Sequence, residues 1–299
     1  MIIMIENGQF GNQLFQFNLC LRNLNENEKI IFIGFEDLSK FIKKNNNFFF
    51  IKKNIFSKLI IKFRNLIIKK IINRFKITNT ILENARGQIT KHRGLINFIT
   101  LIDGHFEKEN LIKDDFIYYL KKLKIENKAK KYLEKIKKKK KIFFVHIRLR
   151  DNLVGIDKKY PSVLPLIWFF KCKNLIKKKN RNSLFIFLSD DINFLKKNLN
   201  KNEIYIKDNN PFYNFFIMKN CDGGVLSPST FSWWAAYLSK KKDFFAPEFW
   251  HGHRKKEQHP INFKSSFLRY IPVKKIEYLT QIRHEKIFYK VLPFVCKLP

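Results

Sequence analysis

The sequence predicts an α/β protein in two halves, each a parallel sheet with helices on both faces. Three observations carry this. From residue 142 onward, short apolar runs alternate with helical stretches, the pattern of βαβ units. The N-terminus runs from an apolar strand through a glycine corner into an amphipathic run. Between these regions lies the densest lysine run, Lys137 to Lys141, where a linker would sit. The halves are therefore drawn as 1–139 and 140–299, each long enough for its own core.

The elements follow in order. Residues 2–5 read as a buried strand, 11–24 as a helix and 29–35 as a second strand. The segment "FSKLIIKFRNLIIKKIINRF" has apolar residues at helical intervals (Leu59, Ile60, Phe63, Leu66, Ile67) and reads as one helix. Residues 110–141 read as one or two more helices. Then come a strand at 142–148, a helix at 164–178, a strand at 183–191, a short helix and a strand at 203–206. The helix 211–221, the strand 223–227, the helix 229–238 and the strand 242–250 complete the alternation.

Composition narrows the function. A hydrophobic fraction of 45% excludes a disordered chain. The net charge of +35 invites a nucleic-acid or anionic-membrane partner. Yet the lysines are spread through the chain beside abundant Asn, Ile and Phe, as AT-rich coding produces, and no nucleic-acid-binding motif is present. Four cysteines, at 20, 172, 221 and 296, form no CxxC pair and read as reduced thiols. The N-terminus lacks a signal-peptide pattern, and no apolar run reaches membrane-spanning length. The expected location is cytoplasmic, with peripheral contact to an anionic inner-membrane face as an option. The tail "FYKVLPFVCKLP" suits either core packing or a membrane surface.

Four motifs can carry chemistry. In "VHIRLRDN", His146 and Arg148 share one face of a strand end, where open parallel sheets bind ligands. A guanidinium there suits a pyrophosphate, and Asp151 can orient it or hold the turn; a strand end facing water fits equally well. In "GGVLSPSTFSWWAAYL", Ser227, Ser229 and Thr230 surround a helix start, which caps the helix or holds a phosphate; capping alone is the simpler reading. In "FLSDD", Asp190 and Asp191 suit a guanine or ribose, or a helix cap. In "DGHFEKEN", Glu107 and Glu109 lie near His105 and could serve as a base or form a polar loop. His251, His253 and His259 suggest metal only weakly. No aspartate pair has DxD spacing, so a bound diphosphate would need arginine and backbone dipoles rather than a metal ion.

Taken together, the segments "GQFGNQLFQF" (8–17), "DGHFEKEN" (103–110), "HIRLRDN" (146–152), "FLSDD" (187–191), "SPSTFSWWAAYL" (227–238) and "FAPEFW" (245–250) resemble the alpha-1,2-fucosyltransferase family, glycosyltransferase family 11. They occur in the family's order and span nearly the whole chain. Two departures stand out: Leu149 replaces a second arginine, and Arg150 replaces a glycine.

The resemblance implies a GT-B-like α/β fold, with two Rossmann-like domains whose parallel sheets face across a cleft. The first domain would be the acceptor side, and the second would bind the donor, GDP-fucose. Transfer would invert the anomeric centre without a metal or cofactor. The acceptor would be a galactose-terminated oligosaccharide or lipid-linked glycan; bacterial members decorate lipopolysaccharide or capsule. Carried over by position, Arg148 matches the family's pyrophosphate-binding arginine and His146 its neighbour; no residue stands out as the base, for which Glu107, Glu109 and Asp103 are candidates and His146, more naturally structural or phosphate-facing, is a further one. Donor contacts would come from Gly8, Gly11, Asn12, Gln13, His146, Arg148, Asp151, Asp190, Ser229, Thr230 and Ser232. The glycine loop would approach the ligand closely because it lacks side chains. The alternatives are another nucleotide-sugar donor on the same fold and, distantly, a basic nucleic-acid-binding protein.

Overall fold

The computed structural model describes residues 1–64, 66–149, 162–199, 202–206, 208, 210–261, 263–274 and 277. The chain divides into two compact units: Met1–Leu123 with Pro260–Asn262, and Lys124–His259 with Phe263–Pro299. The division falls after Leu123 rather than at 139/140. The reason is the helix Lys124–Lys137 (α4), which packs on the helix Pro211–Lys219 (α7) of the second unit. Lys219 donates to Glu126 at 2.9 Å, and the Lys128 ammonium lies over the Tyr213 ring.

Unit 1 is built on six strands: β1 (Ile2–Ile5), β2 (Ile30–Ile33), β3 (Phe48–Ile51), β4 (Thr78–Glu83), β5 (Ile89–His92) and β6 (Ile96–Asp103). Their order is β3-β2-β1-β6-β4-β5, and all pairs are parallel except β4–β5. Alternation along the strands sends side chains to two apolar layers. The helix Phe10–Arg22 (α1) follows β1 and places Phe17 against Phe32, Phe48, Phe116 and Tyr119, with ring centroids 5.4–6.0 Å apart; the short helix Glu36–Phe41 (α2) follows β2. On the opposite face Ile5, Ile33 and Leu101 pack with Ile60, Ile61, Ile68 and Ile72.

Unit 2 has the order β12-β11-β10-β7-β8-β9, parallel throughout. Its strands are β7 (Lys141–Ile147), β8 (Ser183–Ser189), β9 (Ile204–Tyr205), β10 (Gly223–Leu226), β11 (Asp243–Pro247) and β12 (Leu268–Ile271). Phe143, Val145, Ile147 and Leu149 point to one face, where the helix Leu166–Lys179 (α5) supplies Trp168, Phe169, Cys172 and Ile176. Phe144 and His146 point to the other. Gly224 lies beside Phe144 in register, and a Cβ there would stand 2.6 Å from the ring. The central strand β7 therefore sits flush against β10.

The alternation expected from residue 142 onward is present, with boundaries shifted by a residue or two. The single helix expected over 56–75 is instead α3 (Ile55–Lys62) and a separate π-helical turn at Leu66–Ile72. Arg64 lies at the junction, its guanidinium drawn inward to Asp103, 3.0 Å away. The helices expected over 110–141 are two short 3₁₀ turns and α4. The last expected strand stops at Pro247 because the chain then turns: Phe249 and Trp250 have positive φ, and the Trp250 N–H donates back to Pro247 O at 3.2 Å. Strands β3 to β6 and β12 had no counterpart in the sequence reading. The tail and Cys296 lie outside the described residues; Cys20, Cys172 and Cys221 are buried thiols. Among the described residues no helix is long and apolar enough to cross a membrane.

Truncating Phe17 removes the ring at the centre of four aromatic contacts. Phe17→Ala is expected to cost about 3–5 kcal/mol, read as a lower urea midpoint by far-ultraviolet circular dichroism.

Candidate active site

In unit 2 the sequence-predicted residues meet at the carboxyl ends of β7, β10 and β8. His146 is opposite Leu226 and Leu188 in register. The Ser227 hydroxyl donates to the His146 carbonyl at 2.9 Å and accepts the Arg148 N–H at 2.9 Å. Asp190 Oδ1 accepts the Leu149 N–H at 2.8 Å, tying β8 to the same turn. Arg148 thus leaves the sheet on the His146 side, half-buried, while Leu149 turns back into the core. Leu149, where the resemblance expects a second arginine, is a packing residue on the opposite face. Asp191 caps the helix Ile192–Asn198 (α6) by accepting from Phe194 N at 3.0 Å. Arg150 and Asp151 lie outside the described residues.

The helix Thr230–Ser239 (α8) begins at this strand end. Ser229 occupies its cap position, yet its hydroxyl makes no capping bond. Ser229 Oγ is buried without a hydrogen-bond partner, a costly state for a hydroxyl unless something else fills it. Ser232 Oγ donates to Ser229 O inside the helix. Thr230 is half-buried in the first turn. His146 packs near Phe231 of the same turn, centroids 6.2 Å apart. Burial, with the Arg148 guanidinium close by, pulls His146 down to about 3, so it stays neutral. Its Nδ1 is also buried without a partner.

In unit 1 a second polar group gathers at the ends of β1, β4 and β6. Gly8 has φ +95°, and a side chain there would run into Asn12. The glycine is thus required by the turn itself, whatever approaches it. Gly11 is buried in the first turn of α1. Asn12 Nδ2 donates to His105 Nδ1 at 3.0 Å, which leaves the ring proton on Nε2. Burial lowers His105 to about 4, helped by Arg64. Gln13 donates to Glu6 and accepts from Leu38 N. Glu109 opens a short 3₁₀ turn, half-buried. Glu107 is 7% exposed, and burial, with Glu83 nearby, pushes it up to about 8.

Glu83, Arg64 and Glu6 were missed by sequence reasoning. Glu83 Oε2 accepts from His105 N at 2.8 Å and Phe106 N at 2.6 Å, fixing the loop that carries Glu107. Its signal was the alternation of "TNTILE", which ends on a carboxylate at a strand end. Arg64 was legible only as one of six cations inside an isoleucine-rich run. Of the histidines near 251–259, His253 is buried and bonded to Ser162 O at 3.1 Å, which makes it structural. Among the described residues no group of three His, Cys, Asp or Glu side chains is placed to hold a metal ion.

Residues 1–259 match Glycosyl transferase family 11. The chain belongs to this family. A curated relative is the O-antigen biosynthesis glycosyltransferase WbnK of Escherichia coli, 25% identical over 171 residues, which are 54% of this chain and 56% of that one. The chain thus spans a little over half the length of that relative. A glycosyl transferase family 9 structure from Veillonella parvula shares the fold, with TM-score 0.51 at 11% identity over 95% of this chain and 89% of that one. NodZ alpha-1,6-fucosyltransferase co-crystallized with GDP gives TM-score 0.47 at 11% identity, covering 79% and 92%. The two sheets, parallel except for β4–β5, give this family 11 chain an α/β fold of two units.

The buried Glu107 makes a pH prediction. Its folded pKa lies above its unfolded value, so the folded state holds a proton that the unfolded state releases. Its contribution is fully present below about 4.5 and is lost as pH rises to about 8. Glu107→Gln cannot release that proton. Urea unfolding across this window should show a smaller decline in stability for the variant than for the parent.

Proposed function

We propose that the chain transfers L-fucose from GDP-fucose to the 2-hydroxyl of a terminal galactose in a surface glycan, an O-antigen or capsule. Transfer proceeds with inversion and needs no metal ion. The observation that carries this reading is the strand-end group of unit 2. His146, Arg148 and the unpartnered Ser229 hydroxyl stand together at the start of α8, in a chain of family 11. The motif resemblance supports fucose as the sugar, and the O-antigen relative supports the setting.

The acceptor oxygen attacks C1 of fucose, and the bond from C1 to the β-phosphate oxygen breaks. Negative charge grows on the departing phosphate. Arg148 and the positive end of the α8 dipole face that charge, and Ser229 Oγ offers a further donor. His146, neutral and buried, cannot add a positive charge; it orients through hydrogen bonding. Asp190 serves the nucleotide side by holding the 148–149 turn. Unit 1 serves the acceptor. Of its carboxylates, Asp103 is paired with Arg64. Glu107 is our choice for the proton acceptor, acting in its ionised form, whose share grows as pH rises towards about 8, near the range where proton transfer is efficient.

Purified protein with GDP-fucose, a galactoside panel and EDTA tests this by GDP release and product mass. Galactoside-dependent fucose transfer with an alpha-1,2 linkage by NMR is expected. Turnover with GDP-mannose alone would transfer the reading to another donor. Arg148→Ala should lower kcat about 10²–10³-fold, the effect of removing one preorganised donor to a developing anion. A rate near the parent's would remove Arg148 from the mechanism.

A further inference from the structure

We propose that the outer face of α3 and of the π-helical turn after it is a docking surface for an anionic lipid bilayer. This segment is apolar on two sides. Its inner side, Ile60, Ile61, Ile68 and Ile72, packs on the sheet of unit 1. Its outer side carries Phe56, Leu59, Phe63 and Leu66 at helical spacing, all open to solvent, with Phe56 69% exposed. Ile55 and Phe75 stand 83% and 65% exposed at its two ends. A helix that is apolar all round is normally covered on all sides, and so continuous an exposed patch marks an interaction surface.

The sheet extends the same patch. Phe49 and Ile51 on edge strand β3 are in register with Ile31 and Ile33, which pack against this segment. They therefore point to the segment's side of the sheet, and both are exposed.

Charge selects the occupant. Between Asp37 and Glu83 the chain has no acidic residue and twelve lysines and arginines. Lys58, Lys62 and Lys70 are exposed among the apolar side chains, and the Lys62 ammonium lies 5.7 Å from the Phe63 ring. Aromatic and aliphatic side chains that enter the headgroup boundary, rimmed by lysines that meet acidic phosphates, form the composition of an interfacial helix. A protein partner or a second copy of this chain would bury the same lysines, and on this copy's surface nothing acidic lies within the stretch to meet them.

Sedimentation with vesicles tests the claim. The protein should pellet with phosphatidylcholine vesicles containing phosphatidylglycerol, weakly with phosphatidylcholine alone, and less at high salt. Phe56→Ser with Phe63→Ser, and separately Lys58→Glu with Lys62→Glu, should each lower the partition coefficient about tenfold or more. Hydrogen exchange of the unsubstituted protein should show protection of residues 55–75 only with the anionic vesicles. Three results would each overturn the proposal: no binding to anionic vesicles, parent-like binding by both variants, or no protection at 55–75. A dimer that the phenylalanine variant converts to monomer in light scattering would also overturn it, by assigning the face to a second copy. The proposal does not rest on the donor or acceptor assignment. Transfer to a soluble galactoside should be unchanged in both variants, so failure of docking and failure of the transferase reading are separate results.

Discussion

Ser227 Oγ stands between two backbone groups of the neighbouring strand, the carbonyl of His146 and the N–H of Arg148. A parallel strand that ends at Ile147 leaves the next N–H without a ladder partner. Buried backbone donors are expensive to leave unpaired. The hydroxyl satisfies this one and binds the end of β7 to the end of β10. Asp190 does the same for Leu149 from the side of β8. Two side chains from two flanking strands therefore set the path of the chain after β7. That path sends Arg148 out beside the start of α8 and returns Leu149 to the core.

The consequence is a division of labour along one short stretch. Residues 145, 147 and 149 hold the turn down by packing, and 146 and 148 are presented by it. A leucine at 149 is physically sensible here because an arginine on that face would have to bury its charge among Trp168, Phe169 and Leu195. Unit 1 uses a related device. Glu83 holds the 105–106 backbone, and Asn12 fixes the tautomer of His105. In both units a polar side chain near a strand end orients the next loop.

Much of the second half was legible because its strands are continuous apolar runs separated by helices, so periodicity alone divides them. The strand-end placement of His146, Arg148 and Asp190 followed from that division. Unit 1 was harder to read. β3 is four residues, "FFFI", and β5, "ITKH", is a polar antiparallel edge, so neither gives a periodic signal. The helix over 56–75 was drawn too long because its apolar spacing is helical throughout, and only the pairing of Arg64 with Asp103 marks the junction. Glu83, Arg64 and the Ser227 bridge depend on contacts between residues about 40 to 80 positions apart, or at 22 positions for Glu83 and His105. Local pattern carries no information about such pairs. Gly8 carries a backbone requirement of its own, a positive φ beside the Asn12 side chain, which local pattern does not reveal.

The most direct measurement is hydrogen exchange by mass spectrometry with and without GDP. The account predicts that GDP slows exchange at 146–149 and at 227–233, where a diphosphate would draw on Arg148 and the first turn of α8. Protection confined to unit 1, or absent from both of these segments at saturating GDP, would contradict it.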